Sequence, residues 1–262
     1  MLHGPPMGLD TLVALRSWRI WTRWAWLETK RRYSRTMIGP FWITINLGIL
    51  VIGFGFVFGA LFGADIRTFI PHVALGLVAW AFISGVISEG CSAFVANATV
   101  IKSISLPPTV YALRLIARQG IGLVHNCIIV VAVIVLFPVE FGAPAVYFLP
   151  ALLIYMVNAY WIILFTGIMG ARYRDFTQIV VALLQVIFMF TPVFWQKEFL
   201  GTNTFITDWN PFFHFVEIFR APLLGQVPAW ESYAVTGLVT LVGYCAMFVL
   251  YRRGAGRVAY WV

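Results

Sequence analysis

Few side chains in this sequence could make or break bonds, and their spacing does not gather them. The four histidines stand at 3, 72, 125 and 214, and none belongs to an HExxH pair that would hold zinc on one helix face. No two of the ten acidic residues sit at a spacing that favours acid–base work. There is no GxxxxGK[ST] loop for a nucleotide's phosphates and no GxSxG turn for a serine nucleophile. Cys91, Cys127 and Cys245 lie in or beside apolar runs without CxxC spacing, so they read as small packing residues. The expected catalytic and metal-ligating sets are therefore both empty. Driven work would need energy from a separate subunit.

What remains are residues that could stack, bind or be pushed. Phe54, Phe58 and Phe62 recur every fourth residue beside Gly55, Gly59 and Gly63. Such glycines let another helix approach closely, and the aromatic faces could stack on sugar rings or fill space. Phe188, Phe190, Phe194 and Trp195 crowd the end of a later apolar run, where Pro192 bends or ends it. His72 and Glu89 mark the two ends of another run, where an ionisable group is a functional candidate by default. Glu89 is near enough to the run's end to reach water, Arg114 or Arg118, which favours a structural partner over a proton relay. His125 and Asn126 read as hydrogen-bonders between helices.

The elements that must position these residues are membrane spans. Of 262 residues, 61% are hydrophobic and 11% charged, with mean hydropathy +0.88; a soluble domain has about 45–50% and about 25%. Six uncharged stretches could each cross a core that takes about 20 helical residues: Phe41–Phe62, Ile70–Ser88, Gln119–Phe137, Tyr147–Gly170, Phe176–Gln196 and Ser232–Tyr251. The expected fold is an all-α integral membrane bundle of six spans over 41–251, one domain across 1–262. About forty residues, many basic, precede the first apolar run, unlike a cleavable signal. Fifteen of the eighteen Lys and Arg fall before the first run, in the second and fourth connections, and in the tail. The positive-inside bias then puts both termini in the cytoplasm, and the +8 charge needs only anionic lipid, not nucleic acid.

Between the spans, Leu9–Lys30 (9–32 at its widest) reads as an amphipathic helix along the cytoplasmic surface, with Arg16, Arg19, Arg23 and Lys30 opposite Trp18 and Trp21. A basic flank that only fixes topology fits as well. Gly39-Pro40 turns that helix into the first span. Asn97–Arg118 is a polar, basic cytoplasmic insert around Pro107-Pro108, a handle for an outside motor. Arg172-Tyr173-Arg174-Asp175 is a tight charged corner on the same side. The outer connection Lys197–Glu231 is too aromatic for an ordinary loop. In it Asn210-Pro211 starts a helix with Phe212, Phe215, Val216 and Phe219 on one face. That segment dips into the membrane or lies in its outer interface, unless it is an inert amphipathic helix.

These landmarks together resemble the permease subunits of ABC-2-type polysaccharide exporters, especially the O-antigen and teichoic-acid branch. The matching residues are the RRYSRT-x-IGPFW entry within Lys30–Trp42, Asn97…Lys102…Leu106-Pro107, the Arg172–Asp175 corner, Thr191-Pro192-Val193, and Asn210-Pro211…Arg220. They occur in family order over nearly the whole chain. Thr36-Met37-Ile38-Gly39 departs conservatively from the family's Ser-x-Leu-Gly.

The resemblance implies a homodimer with a cytoplasmic ABC ATPase dimer, which binds the ATP and Mg²⁺; this chain holds no cofactor. It implies export of a lipid-linked polysaccharide across the bacterial inner membrane, on an undecaprenyl-diphosphate carrier for an O-antigen-like cargo; a capsular cargo also fits. The short helix near Asn97–Pro108 corresponds to the family's coupling helix, with Asn97, Lys102, Ser105, Pro107 and Arg114 as coupling residues. The N-terminal helix is similar to its interface helix, and Phe199–Leu224 to its re-entrant periplasmic gate helices. Gate and interface residues are then Arg31, Tyr33, Arg172, Arg174, Asp175, Asn210, Pro211 and Arg220. The path would run between protomers along spans one and five, past Phe54, Phe58, Phe62, Phe188, Phe190, Phe194 and Trp195. A drug or lipid exporter, or a membrane-embedded glycosyl- or acyltransferase, are the alternatives; the last needs an acidic or histidine centre that is missing here.

Overall fold

A computed structural model describes residues 7–201 and 205–262, and these are helical throughout apart from short connections. Two helices, α1 (Met7–Arg16) and α2 (Trp18–Tyr33), precede the bundle. The single surface helix expected over 9–30 is therefore broken at Ser17, whose φ of −89° and ψ of 30° leave the helical region. The Trp21 indole donates to the Ala14 carbonyl across the break, at 3.0 Å.

Gly39 turns the chain at φ +63° and Pro40 opens the next helix, α3 (Trp42–Phe62). α3 stops because Gly63 takes the left-handed conformation, φ +61°, that residues with a Cβ avoid. Asp65 then caps α4 (Ile66–Cys91), its carboxylate accepting from the Arg67 amide at 3.0 Å. Of the three glycines in the expected stripe, Gly55 and Gly59 admit α4: a Cβ on Gly55 would lie 2.8 Å from Ile70 Cγ1. Gly63 is the turn.

After α4 comes the six-residue α5 (Ala98–Ser103), then α6 (Pro108–Leu136), α7 (Phe148–Arg172) and α8 (Phe176–Phe190). Among the described residues, five helical segments are long and apolar enough to cross a membrane: Gly39–Phe62, Ile66–Cys91, Pro108–Leu136, Ala143–Arg172 and Trp230–Trp261. The protein is thus an all-α, multi-span membrane protein. The stretch expected as span five is shorter as a helix. At 15 residues α8 is about 22 Å long, because the residue before a proline is pushed out of the α region; Thr191 is extended, with ψ 129°. From there the chain climbs beside α4. Val193 is fully buried, and its carbonyl lies 2.8 Å from where a Cβ on Gly76 would be.

α9 (Phe205–Asp208) and α10 (Pro211–Leu223) follow, and then α11 (Trp230–Gly254) and α12 (Val258–Trp261). α10 starts where Asn210-Pro211 predicts, with Asn210 Oδ1 accepting from the Phe212 amide at 3.0 Å. It packs between α4, α7 and α11. Phe212 meets Trp80 of α4, and Arg220 meets His72 of the same helix, so α10 runs antiparallel to α4 along its N-terminal half. α4 is the axis of the molecule: it touches α3, α6, α7, α8 and α10 and is far more buried than the other long helices.

Candidate functional site

Three groups of side chains matter, and the helices place them at different heights along α4. The first lies where α4 ends. Asn97 donates from Nδ2 to the Ala93 carbonyl at 2.7 Å and closes the turn into α5. α5 then exposes Thr99, Lys102 and Ser103, and Ser105 follows in an extended stretch that Pro107 (ψ 140°) turns into α6. At the same end are the Arg172–Asp175 corner, wholly exposed, and α12, which packs on α5 and α7. Arg172 lies over the rings of Tyr173 and Trp261, at 5.1 and 5.8 Å. Asn97, Lys102, Ser105, Pro107, Arg172, Arg174 and Asp175 therefore share one end of the molecule.

Arg114 does not join that exposed set. It is 4% exposed, stacked over Trp24 of α2 at 4.9 Å and paired with Glu28. Glu28 also holds Arg118, Arg118 also holds Glu89, and Arg32 reaches Glu89 at 3.3 Å. Gln119 adds a bond to Glu89 at 2.6 Å. Glu89 is thus the structural partner its position suggested, to Arg118 and not Arg114. Arg31 is exposed nearby, and Tyr33 is half-buried at the edge of a cavity beside this cluster. Sequence reasoning did not single out Glu28. Its signal was there, since it and Asp10 are the acidic residues of an otherwise basic N-terminal segment. Asp10 serves a similar end: its carboxylate accepts from the Tyr251 hydroxyl at 2.6 Å, and its carbonyl from Thr109 at 2.9 Å, pinning α1 to α11 and α6.

The second group is aromatic. Phe54 and Phe58 of α3 meet Phe188 of α8 and Phe194 beyond it, with ring centroids 4.9–6.2 Å apart for the pairs Phe58–Phe194, Phe188–Phe194, Phe54–Phe194 and Phe54–Phe188, and Phe62 stacks on Phe58 at 5.8 Å. Phe199 caps this stack on Phe62 at 4.8 Å. All these rings except Phe62 and Phe199, which are exposed, are half-buried. Phe190 stands apart, exposed on the far side of α8. Trp195 donates from its indole to the Met189 carbonyl at 3.1 Å, while its own carbonyl is 3.0 Å from His72 Nε2. The rings form one continuous face along α3 and α8.

The third group centres on Arg220, 5% exposed at the end of α10. Its guanidinium donates to the Pro192 carbonyl at 2.8 Å and to Glu217 at 3.0 Å, and lies 2.9 Å from His72 Nε2. Asn210, at the other end of α10, donates to Thr191 Oγ1 at 3.0 Å. Both ends of α10 are therefore tied to the 191–196 stretch. By contrast, His125 and Asn126 do not bond between helices through their side chains. His125 Nδ1 bonds the Ile121 carbonyl of its own helix at 2.8 Å, and the interhelical bond runs from the Thr44 hydroxyl to the His125 carbonyl, at 2.8 Å. Asn126 Oδ1 is buried without a partner.

The family described as ABC-2 type transporter matches residues 21–224 of this chain. Two Klebsiella pneumoniae proteins, each described as O-antigen export system permease protein RfbA, are 19% identical to it over 222 residues, 82% of this chain and 86% of theirs. The match runs from within α2 to the end of α10 and takes in all of the second and third groups and most of the first: the chain belongs to the ABC-2 type transporter family and is a transport subunit, not an enzyme.

Proposed function

We propose that this chain is the permease half of an ATP-driven exporter of lipid-linked polysaccharide, O-antigen-like in type, in a bacterial inner membrane. The observation that carries the proposal is α5, a short exposed helix hung between the buried α4 and α6 at the charged end of the molecule. A motor pressing there moves α4, and with it every helix that α4 touches. ABC-2 proteins typically pair with a cytoplasmic ATPase and form oligomers, which supports a homodimer on an ATPase dimer that holds ATP and Mg²⁺. Lys102, Ser105 and the Arg172–Asp175 corner then face the motor, with both termini cytoplasmic. Asn97 and Pro107 shape the handle. Arg114, with Arg31 and Tyr33 nearby, belongs to the seam that fixes the amphipathic α2 to the bundle.

In this reading the whole chain is one domain with six spans, α8 crossing with the help of Thr191–Gln196. α9 and α10 are the re-entrant gate, held by Asn210, Pro211 and Arg220. The Phe54, Phe58, Phe62, Phe188 and Phe194 face, with Trp195 above it, lines the path between protomers, while Phe190 faces elsewhere. Weak, repeated ring–sugar contacts suit a polymer that must slide. The relatives' description as O-antigen export permeases favours this cargo over a drug or a simple lipid. The test is co-purification with the ATPase encoded beside it, followed by ATP turnover with and without lipid-linked glycan. Stimulation by the glycan is expected. Glycan export driven by an ion gradient in liposomes holding this chain alone would overturn the proposal.

A further inference from the structure

The charges at the seam between α2 and α6 do not cancel. Arg32, Arg114 and Arg118 face Glu28 and Glu89, so one positive charge is left over. Both Glu89 oxygens are occupied, because Gln119 brings a further donor to Oε2. Against this seam opens a cavity of about 160 Å³, room for about five waters at about 30 Å³ each. Its lining brings Arg32, Tyr33, Arg118 and the carboxylate of Glu89 together with Phe82, Gly122 and Asn126. Arg118 and Asn126 are about 12 Å apart along α6. Two polar atoms of the lining residues are buried with no partner, as is Arg114 Nε in the seam: Arg118 Nε, a donor, and Oδ1 of Asn126, an acceptor on a residue 6% exposed. Arg32 is anchored only by its 3.3 Å contact and keeps a side chain 58% exposed.

The geometry points to a binding site for a phosphate ester of a polyol. The phosphate takes the surplus charge at Arg32 and the free Arg118 donor. A hydroxyl of the esterified alcohol reaches inward and donates to Asn126 Oδ1. The apolar chains stay outside, in the bilayer. A headgroup ammonium in the same place would add positive charge to a seam that already has too much, so a hydroxyl is the better donor. Two molecules carry this chemistry: a glycerophospholipid with a glycerol headgroup, and the sugar phosphate of a lipid-linked glycan. Only the second source rests on the function proposed above.

The test uses the full-length purified chain, without ATPase, titrated with phosphatidylglycerol, phosphatidylethanolamine and a polyprenyl-diphosphate sugar in mixed micelles, and read by native mass spectrometry. Phosphatidylglycerol should bind at least about tenfold tighter than phosphatidylethanolamine. Arg32→Gln should lose roughly tenfold, the worth of one charge-assisted hydrogen bond. Gly122→Leu should abolish binding by filling the cavity, and it should fold, because a Cβ at Gly122 meets nothing within 4 Å. A polyprenyl-diphosphate sugar that binds tighter than phosphatidylglycerol assigns the site to cargo; the reverse order assigns it to membrane lipid. If phosphatidylethanolamine binds as well as phosphatidylglycerol, or if both variants bind like wild type, the site is not there. No transport enters the assay, so its failure is separate from failure of the export proposal.

Discussion

Replacing Arg220 by methionine tests whether the bonds at the end of α10 hold that helix in place. Methionine keeps most of the side chain's length and apolar contact but deletes the charge and all donors. Arg220 is 5% exposed and contacts Pro192, Glu217 and His72 within 3.0 Å. Removing one member of a buried pair costs about 3–5 kcal/mol because its partner is stranded. The Glu217 side chain is 23% exposed and recovers some hydration, so the lower end, about 3 kcal/mol, is expected. For a chain of this size that corresponds to roughly 6–12 °C in Tm, at about 2–4 °C per kcal/mol. The assay is tryptophan fluorescence during thermal unfolding in detergent, with dye leakage from liposomes as the readout of the proposed gate. Adding Glu217→Gln removes the stranded carboxylate and should restore part of the loss. If Arg220→Met melts with wild type and leaks no more, α10 is held by its apolar face alone and the network does not act as a lock.

Other outcomes follow from the same geometry. Lys102→Glu, on an exposed helix, should leave stability within about 0.5 kcal/mol of wild type while abolishing the proposed export; normal surface polysaccharide in that strain would remove α5 from the drive. Glu28→Gln strands the buried Arg114 and should cost about 3 kcal/mol, with faster tryptic cleavage after Lys30 as α2 lifts; adding Arg114→Met should slow that cleavage again. Gly170→Ala places a Cβ on the Cys91 backbone carbonyl and should cost roughly 1–3 kcal/mol as an overpacked contact. Gly122→Ala in open space should gain about 0.5–1 kcal/mol; thermal unfolding of the pair separates the two glycine roles.

The sequence made the local features legible and left the distant ones hidden. Asn210-Pro211 gives a helix start because both the cap and the proline act within three residues. Glu89 could be paired with arginine because so few carboxylates sit near a run's end. The break at Ser17 was not visible, since serine is neither a strong breaker nor a left-handed residue, and the bond that crosses it comes from Trp21. Span five extends through Thr191-Pro192 by composition, which stays apolar; the proline marks the place where the backbone bends or leaves the helix, and the structure shows that it leaves. Glu28 with Arg114, and Asp10 with Tyr251, join residues 86 and 241 positions apart, and nothing local announces such partners. The aromatic faces of α3 and α8 were each visible, but not that they close on one another.

The central place of α4 also has a bearing on how the protein is made. Four of its neighbours, α6, α7, α8 and α10, begin only at residues 108, 148, 176 and 211. At about 5–20 residues per second, α10 starts to emerge some 6–24 s after α4 is complete. During that interval a helix whose surface is shaped for protein, with Gly76 and Gly90 open and Trp80 uncovered, faces lipid or the insertion machinery. The element on which the finished molecule is assembled is, while the ribosome is still working, the one most in need of shelter.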